Sequence, residues 1–137
     1  MRVVIVDTDV VSYLYKKDTR GLLYEPHLAS SLAVISFMTV AELDQWAIGR
    51  NWGPRLYGAM LQELKSHYSV IHSSRPLCRK WAEVRESVRK SGRIIARSDA
   101  WIAATALLYD LPLITHNARH FEGVVGLNVI SEKENAP

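Results

Sequence analysis

The stretch "SDAWIAATALLYDLPLITHN" (Ser98–Asn117) joins a polar pair to a run of apolar and small residues, and then to a second apolar run that stops at Thr115, His116 and Asn117. The first run reads as a buried helix with Asp99 in its opening turn, and "LPLI" reads as a strand. A helix that precedes a parallel strand runs antiparallel to it. Its N-terminus therefore lies at the carboxyl ends of the strands, the edge where open α/β sheets collect ligands. Asp99 at the helix start and Thr115 to Asn117 at the strand end are thus directed to one edge. An acid there has two readings: it complements the helix dipole, or it belongs to a site.

Outward from this unit the same alternation recurs. "VVIV" (Val3–Val6) is a short β-branched run, the pattern of a strand buried on both faces, and Asp7 closes it. "DTDVVSYLYKK" then opens a helix that Asp7, Thr8 or Asp9 can cap. "DTRGLLYEPHLASS" reads as irregular or as a short helix, and "LAVI" as a second strand. "SFMTVAELDQWAIGR" reads as a helix ending near Gly49, "NWG" with Pro54 as a turn, and "RLYGAMLQELKSHY" as another helix. "SVIH" is a candidate strand, Ser74 and Pro76 start a helix that "SGR" ends, and "GLNVI" is a last short strand. Strands alternating with helices imply a doubly wound α/β sheet with right-handed crossovers. Residues 1–131 read as a single domain and 132–137 as a flexible polar tail.

With 137 residues, 48% of them hydrophobic, the chain has material for one core. The single cysteine, Cys78, excludes an internal disulfide framework and fits a reducing compartment, so a cytoplasmic location is expected. No apolar run approaches the roughly 20 residues of a membrane span. The net charge of +3 is mild, but Arg75, Arg79, Lys80, Arg85, Arg89, Lys90, Arg93 and Arg97 form a basic stretch. It reads either as an anion-binding surface or as a solvated helix face balanced by Glu83 and Glu86.

Asp7 after "VVIV", Glu42 in the helix after "LAVI" and the Thr115–Asn117 turn are delivered to the same sheet edge, and the usual antiparallel run of the helix lets Asp99 join them in one cluster. Each acid has a structural explanation: Asp7 as a helix cap, Glu42 as the partner of Thr39 in a capping box, Asp99 as a dipole charge. Their conjunction points further, because gathered carboxylates repel one another and call for a cation. Oxygen ligands favour Mg²⁺ or Mn²⁺, and no Cys/His spacing of a zinc site is present.

These residues carry a resemblance to the PIN-domain proteins, specifically to the VapC-type toxins of prokaryotic toxin–antitoxin pairs. "VDTDVVSYL", "ISFMTVAEL", "DAWIAATAL" and "LITHNARHFEGVVGL" are similar to the four successive motifs of that family and together span most of the chain. The resemblance implies a PIN-like, three-layer α/β/α fold with a central, mainly parallel sheet. It implies an endoribonuclease that cuts RNA by water activated with Mg²⁺ or Mn²⁺, leaving 5′-phosphate and 3′-hydroxyl ends. It also implies inhibition by a cognate antitoxin, and commonly a homodimer. Carried over by position, Asp7, Glu42 and Asp99 are the acidic metal-binding residues. Asn117 stands at the fourth position, where the family often has aspartate. Thr8 and Thr115 are candidates for hydroxyls that hold the carboxylates, and Arg93, Arg97, His116 and Arg119 for steering phosphate. Two positions depart from the pattern. Asn117 is neutral, so a second cation would be held more weakly, and His120 stands where relatives often place an acid before the phenylalanine.

Two alternatives stay open on the residues alone. "VVIVDTDVV" also fits the opening motif of haloacid-dehalogenase-type phosphatases, with Asp7 as nucleophile and Asp9 as general acid. The neutral Asn117 also admits a catalytically silent module that binds RNA and antitoxin. Among the four tryptophans, Trp52 in the "NWG" turn is the candidate for surface contact with a partner.

Overall fold

The computed structural model describes residues 1–133. Five strands form one sheet: β1 (Arg2–Val6), β2 (Ser31–Ser36), β3 (Ser69–Ile71), β4 (Leu113–Ile114) and β5 (Val129–Ile130). Their spatial order is β3-β2-β1-β4-β5 and every pairing is parallel. The helices are α1 (Thr8–Lys16), α2 (Thr19–Leu22), α3 (Glu25–Ala29), α4 (Phe37–Gly49), α5 (Pro54–His67), α6 (Arg75–Lys90) and α7 (Arg97–Leu108), with a 3₁₀ turn at Ala118–Phe121.

β1 occupies the middle of the sheet because its residues are apolar on both faces. Val4 and Val6 enter one core cluster with Val10, Val11, Leu43 and Met60, while Ile5 enters the other with Leu77, Val88, Ile102 and Phe121. Val4, Ile5 and Val6 are all 0% exposed, and burying each contributes about 1.5–3 kcal/mol. The alternation of a strand thus divides the core into two layers, closed by α1 and α5 on one side and by α6 and α7 on the other. This is the three-layer α/β/α arrangement that the resemblance implies.

Several local expectations shift. The stretch after α1 is two short helices, the first started by Asp18, whose carboxylate accepts the Arg20 N–H at 2.9 Å. Pro54 is the first residue of α5 rather than part of the preceding turn, a position where its missing N–H costs nothing. α4 is capped by Ser36, whose hydroxyl accepts the Met38 N–H at 3.0 Å. The capping-box reading of Thr39 and Glu42 therefore fails, and both are free for other partners. α7 begins at Arg97 without a side-chain cap, which places Asp99 in its first turn as expected. Trp52 packs 4.9 Å from Trp46, ring to ring, and belongs to the core margin instead of standing out as a contact.

Of the tail expected at 132–137, Glu132 is anchored: its N–H donates to the Tyr24 hydroxyl at 3.1 Å and its carboxylate lies 2.6 Å from His27 Nε2. Residues 134–137 lie outside the described residues. Among the described residues, no helix is long and apolar enough to cross a membrane.

Candidate active site

The register Val6↔Ile114 sets the ends of β1 and β4 side by side, and the parallel sheet brings the end of β2 to the same edge. Asp7 leaves β1 there as the cap of α1, accepting the Thr8 N–H at 2.8 Å through Oδ1. Its Oδ2 accepts the Thr115 hydroxyl at 2.7 Å from across the β1–β4 pair. Asp7 is only 6% exposed. Burial, and then the charges of Asp9 and Asp99, push its carboxyl up to about 8 against the two hydrogen bonds, which act to lower it.

Glu42 approaches from the first turns of α4. The Thr8 hydroxyl donates to Glu42 Oε1 at 2.8 Å and lies 2.9 Å from the Thr39 hydroxyl. A hydroxyl has one proton, so with that of Thr8 on the carboxylate, Thr39 is the donor to Thr8. This half-buried chain aims Glu42 at the edge. Burial raises the Glu42 carboxyl, the Thr8 hydrogen bond opposes that rise, and the charges of Asp99 and Asp9 add to it. Asp99 comes from the start of α7. Burial raises its carboxyl, His120 opposes this with Nδ1 at 3.5 Å from Oδ2, and Asp9 raises it further.

Asp9 is the residue that sequence reasoning missed as a site acid, having placed it only as a cap or as the phosphatase acid. Its Oδ1 accepts the Val10 N–H at 2.7 Å. Its Oδ2 accepts the His116 N–H at 3.1 Å and Asn117 Nδ2 at 3.0 Å. Asn117 is held a second time through its N–H, 3.1 Å from the Thr115 hydroxyl. The charge of Asp9 adds to the raised carboxyls of Asp7, Glu42 and Asp99 alike. The Asp-x-Asp spacing of "DTD" was the available signal, but only the fold brings the 116–117 backbone against it.

The edge therefore gathers four carboxylates, Asp7, Asp9, Glu42 and Asp99, together with Asn117. Among the described residues, no lysine or arginine forms an ion pair with any of the four. The donor set is oxygen only, which suits a hard cation. Among the described residues, no three Asp, Glu, His or Cys side chains converge closely enough to enclose a metal by themselves.

The residues expected to steer phosphate separate. His116 is 9% exposed, its Nδ1 2.6 Å from the Tyr24 hydroxyl and its ring edge-on to Tyr13 and Tyr24, so it is packing behind the site rather than a surface contact. Arg97, two residues before Asp99, and Arg119, two residues after Asn117, are exposed. Arg93 is exposed and paired with Glu122 at 3.0 Å. Arg93, Arg119 and His120 line an open groove of about 320 Å³ with Ile94 on its wall. His120, which replaces an expected acid, is the histidine that stands at the surface beside Asp99.

Comparison with known proteins agrees with this geometry. The PIN domain family matches residues 4–126. Ribonuclease VapC1 of Haemophilus influenzae (strain R2866) is 29% identical over 126 residues, covering 90% of this chain and 92% of its own. The structure of VapBC-1 from nontypeable Haemophilus influenzae superposes with a TM-score of 0.81 at 26% identity, covering 94% of this chain and 97% of the other. A toxin–antitoxin complex from Klebsiella pneumoniae superposes with a TM-score of 0.70 at 25% identity, covering 96% and 99%. With a five-stranded parallel sheet, acids converging at its carboxyl edge and a family match spanning nearly the whole chain, this protein belongs to the PIN domain family.

Proposed function

We propose that this chain is a Mg²⁺- or Mn²⁺-dependent endoribonuclease, the toxin of a toxin–antitoxin pair, whose activity a cognate antitoxin restrains. The observation that carries the reading is the set of four crowded carboxylates without a lysine or arginine partner. Such a cluster repels both itself and a polyanionic substrate, so it becomes useful only with a cation. The relative named Ribonuclease VapC1 and the VapBC-1 and toxin–antitoxin complexes among the structural neighbours support the substrate class and the partner. The same reading has the chain acting in the cytoplasm as a homodimer, which light scattering on the purified protein checks.

Asp7 and Asp99 are assigned to holding the cation, with Asp9 and the Asn117 carbonyl adjoining. Bound there, a divalent cation supplies Lewis-acid stabilisation of the phosphate charge and a lowered pKa for water. Glu42, aimed by Thr8 and Thr39, accepts the proton of the attacking water, a task its raised carboxyl suits. Thr115 holds Asp7 in place from β4. Arg97 and Arg119 meet the phosphates on either side, and that contact weakens as salt rises. Membership of the PIN family leaves the phosphatase alternative on Asp7 and Asp9 without support. The silent-module alternative rested on the missing charge at Asn117, and Asp9 supplies a carboxylate next to it.

The test is cleavage of end-labelled RNA by the purified chain in Mg²⁺, in Mn²⁺ and in excess EDTA, with and without the product of the adjoining small reading frame. Metal-dependent products that disappear on adding that partner support the reading. Full cleavage in EDTA, or none in any condition, refutes it.

A further inference from the structure

We propose that Asp9 and Asn117 form a charge-exchanged pair, in which Asp9 supplies the carboxylate charge expected at position 117 and fixes the Asn117 amide so that its oxygen is presented to a divalent cation. The inference rests on the metal-dependent reading above and deepens it. An ionised carboxylate only accepts hydrogen bonds, so the amide must turn Nδ2 toward Asp9, where it lies 3.0 Å from Oδ2. The same Oδ2 takes the His116 N–H at 3.1 Å, and Oδ1 takes the Val10 N–H at 2.7 Å. Asp9 is thus clamped between the first turn of α1 and the turn after β4. On the other side Asn117 is clamped by its own N–H on the Thr115 hydroxyl, 3.1 Å away, which in turn donates to Asp7. With Nδ2 and the backbone N–H both committed, the Asn117 carbonyl oxygen is the group left over. Among the described residues it accepts no hydrogen bond, and no buried polar side-chain atom lacks a partner, so this oxygen is open to solvent. An open amide oxygen beside four carboxylates is a hard ligand in the class that Mg²⁺ and Mn²⁺ take.

Counting charges along the sequence makes Asn117→Asp a gain for cation binding. The pair makes it a loss: the substitution replaces an N–H donor with a second carboxylate 3.0 Å from the first, and like charges at that spacing turn each other aside. Exchanging both residues restores one carboxylate and one amide across the same contact.

The experiment titrates Mn²⁺ calorimetrically into the natural chain, Asp9→Asn, Asn117→Asp, the double variant Asp9→Asn/Asn117→Asp, and Asp9→Ser. Circular dichroism and melting in EDTA establish that each is folded. Asp9→Asn is expected to weaken Mn²⁺ binding by roughly 10–100-fold, the range seen when partners of metal ligands are removed. Asp9→Ser keeps an oxygen near the amide without the charge and must show a comparable loss. Asn117→Asp is expected to bind no more tightly than the natural chain. The double variant is expected to recover most of the affinity that Asp9→Asn loses, a non-additivity typical of residues in direct contact. Unchanged binding in Asp9→Asn, tighter binding in Asn117→Asp, or a double variant no better than Asp9→Asn overturns the pair while leaving the metal reading intact. A natural chain that binds no Mn²⁺ overturns both.

Discussion

The carboxyl edge of the sheet and helix α6 both concentrate charge, yet they treat it in opposite ways. On α6, Arg89 pairs with Glu86, and Arg79 and Lys80 lie within 4.0 Å of Glu83, all at helical spacing and all exposed or at the surface. Such pairs contribute little to stability, because water already solvates both partners. At the edge, Asp7, Asp9, Glu42 and Asp99 are half-buried or more, each carboxyl is raised, and no lysine or arginine answers them. Charge that neutralises itself locally marks a solvated surface. Charge that the fold crowds together with no lysine or arginine beside it marks the candidate site, where His120 at Asp99 is the one basic side chain paired with an acid among the described residues.

The sharpest way to break this contrast is Glu42→Gln. It keeps the Thr8 contact but removes the proton acceptor, and is expected to lower single-turnover RNA cleavage by about 10²–10⁴-fold. Activity within a few fold of the natural chain would return Glu42 to a structural role.

Asp99→Asn separates the site from the helix dipole. In EDTA the variant is expected to melt at the same temperature as the natural chain or higher, since burial and Asp9 together outweigh the His120 contact that favours the charged form. If Mg²⁺ binds as proposed, the natural chain is expected to gain about 2.7 kcal/mol at a hundredfold excess over the dissociation constant, and the variant to lose most of that increment. Destabilisation in EDTA with retained cleavage would assign Asp99 to the dipole alone, whose contribution is about 0.3–1 kcal/mol.

A third prediction concerns pH in the absence of metal. The Asp7 carboxyl is raised from 3.8 unfolded to about 8 folded, so between those values the folded chain holds a proton that the unfolded chain releases. Stability through this group is therefore greatest below pH 4 and falls as pH rises toward 8. Asp7→Asn is expected to flatten that fall in melting curves recorded in EDTA. An unchanged slope would detach Asp7 from the crowded cluster.

The smallest effects should come from the basic helix. Arg89→Ala is expected to leave the melting temperature nearly unchanged and RNA affinity unaltered, because Glu86 already occupies the arginine and both stand in water. Neutralising Arg97, which stands exposed at the start of α7, should reduce the salt dependence of RNA binding by about one phosphate contact. If Arg89→Ala altered the salt slope as much as Arg97→Ala, α6 would be an anion surface after all.

The sequence by itself determined the alternation of strands and helices, the burial of "VVIV" on both faces, and the shared edge to which Asp7, Glu42, Asp99 and Asn117 are directed. It could do so because strand periodicity, helix caps and the geometry of parallel crossovers are local rules that residue types express directly. Ser36 as the cap of α4, in place of the Thr39–Glu42 box, was settled only by the partner Thr39 finds in Thr8, which is 31 residues distant. The burial of His116 depended on Tyr13 and Tyr24 arriving from α1 and the loop after α2. Asp9 shows the limit most clearly. Its neighbours in sequence identify it as one more acid in the first turn of a helix. Its role follows from an amide 108 residues away, and only the pairing of β1 with β4 brings that amide within 3.0 Å.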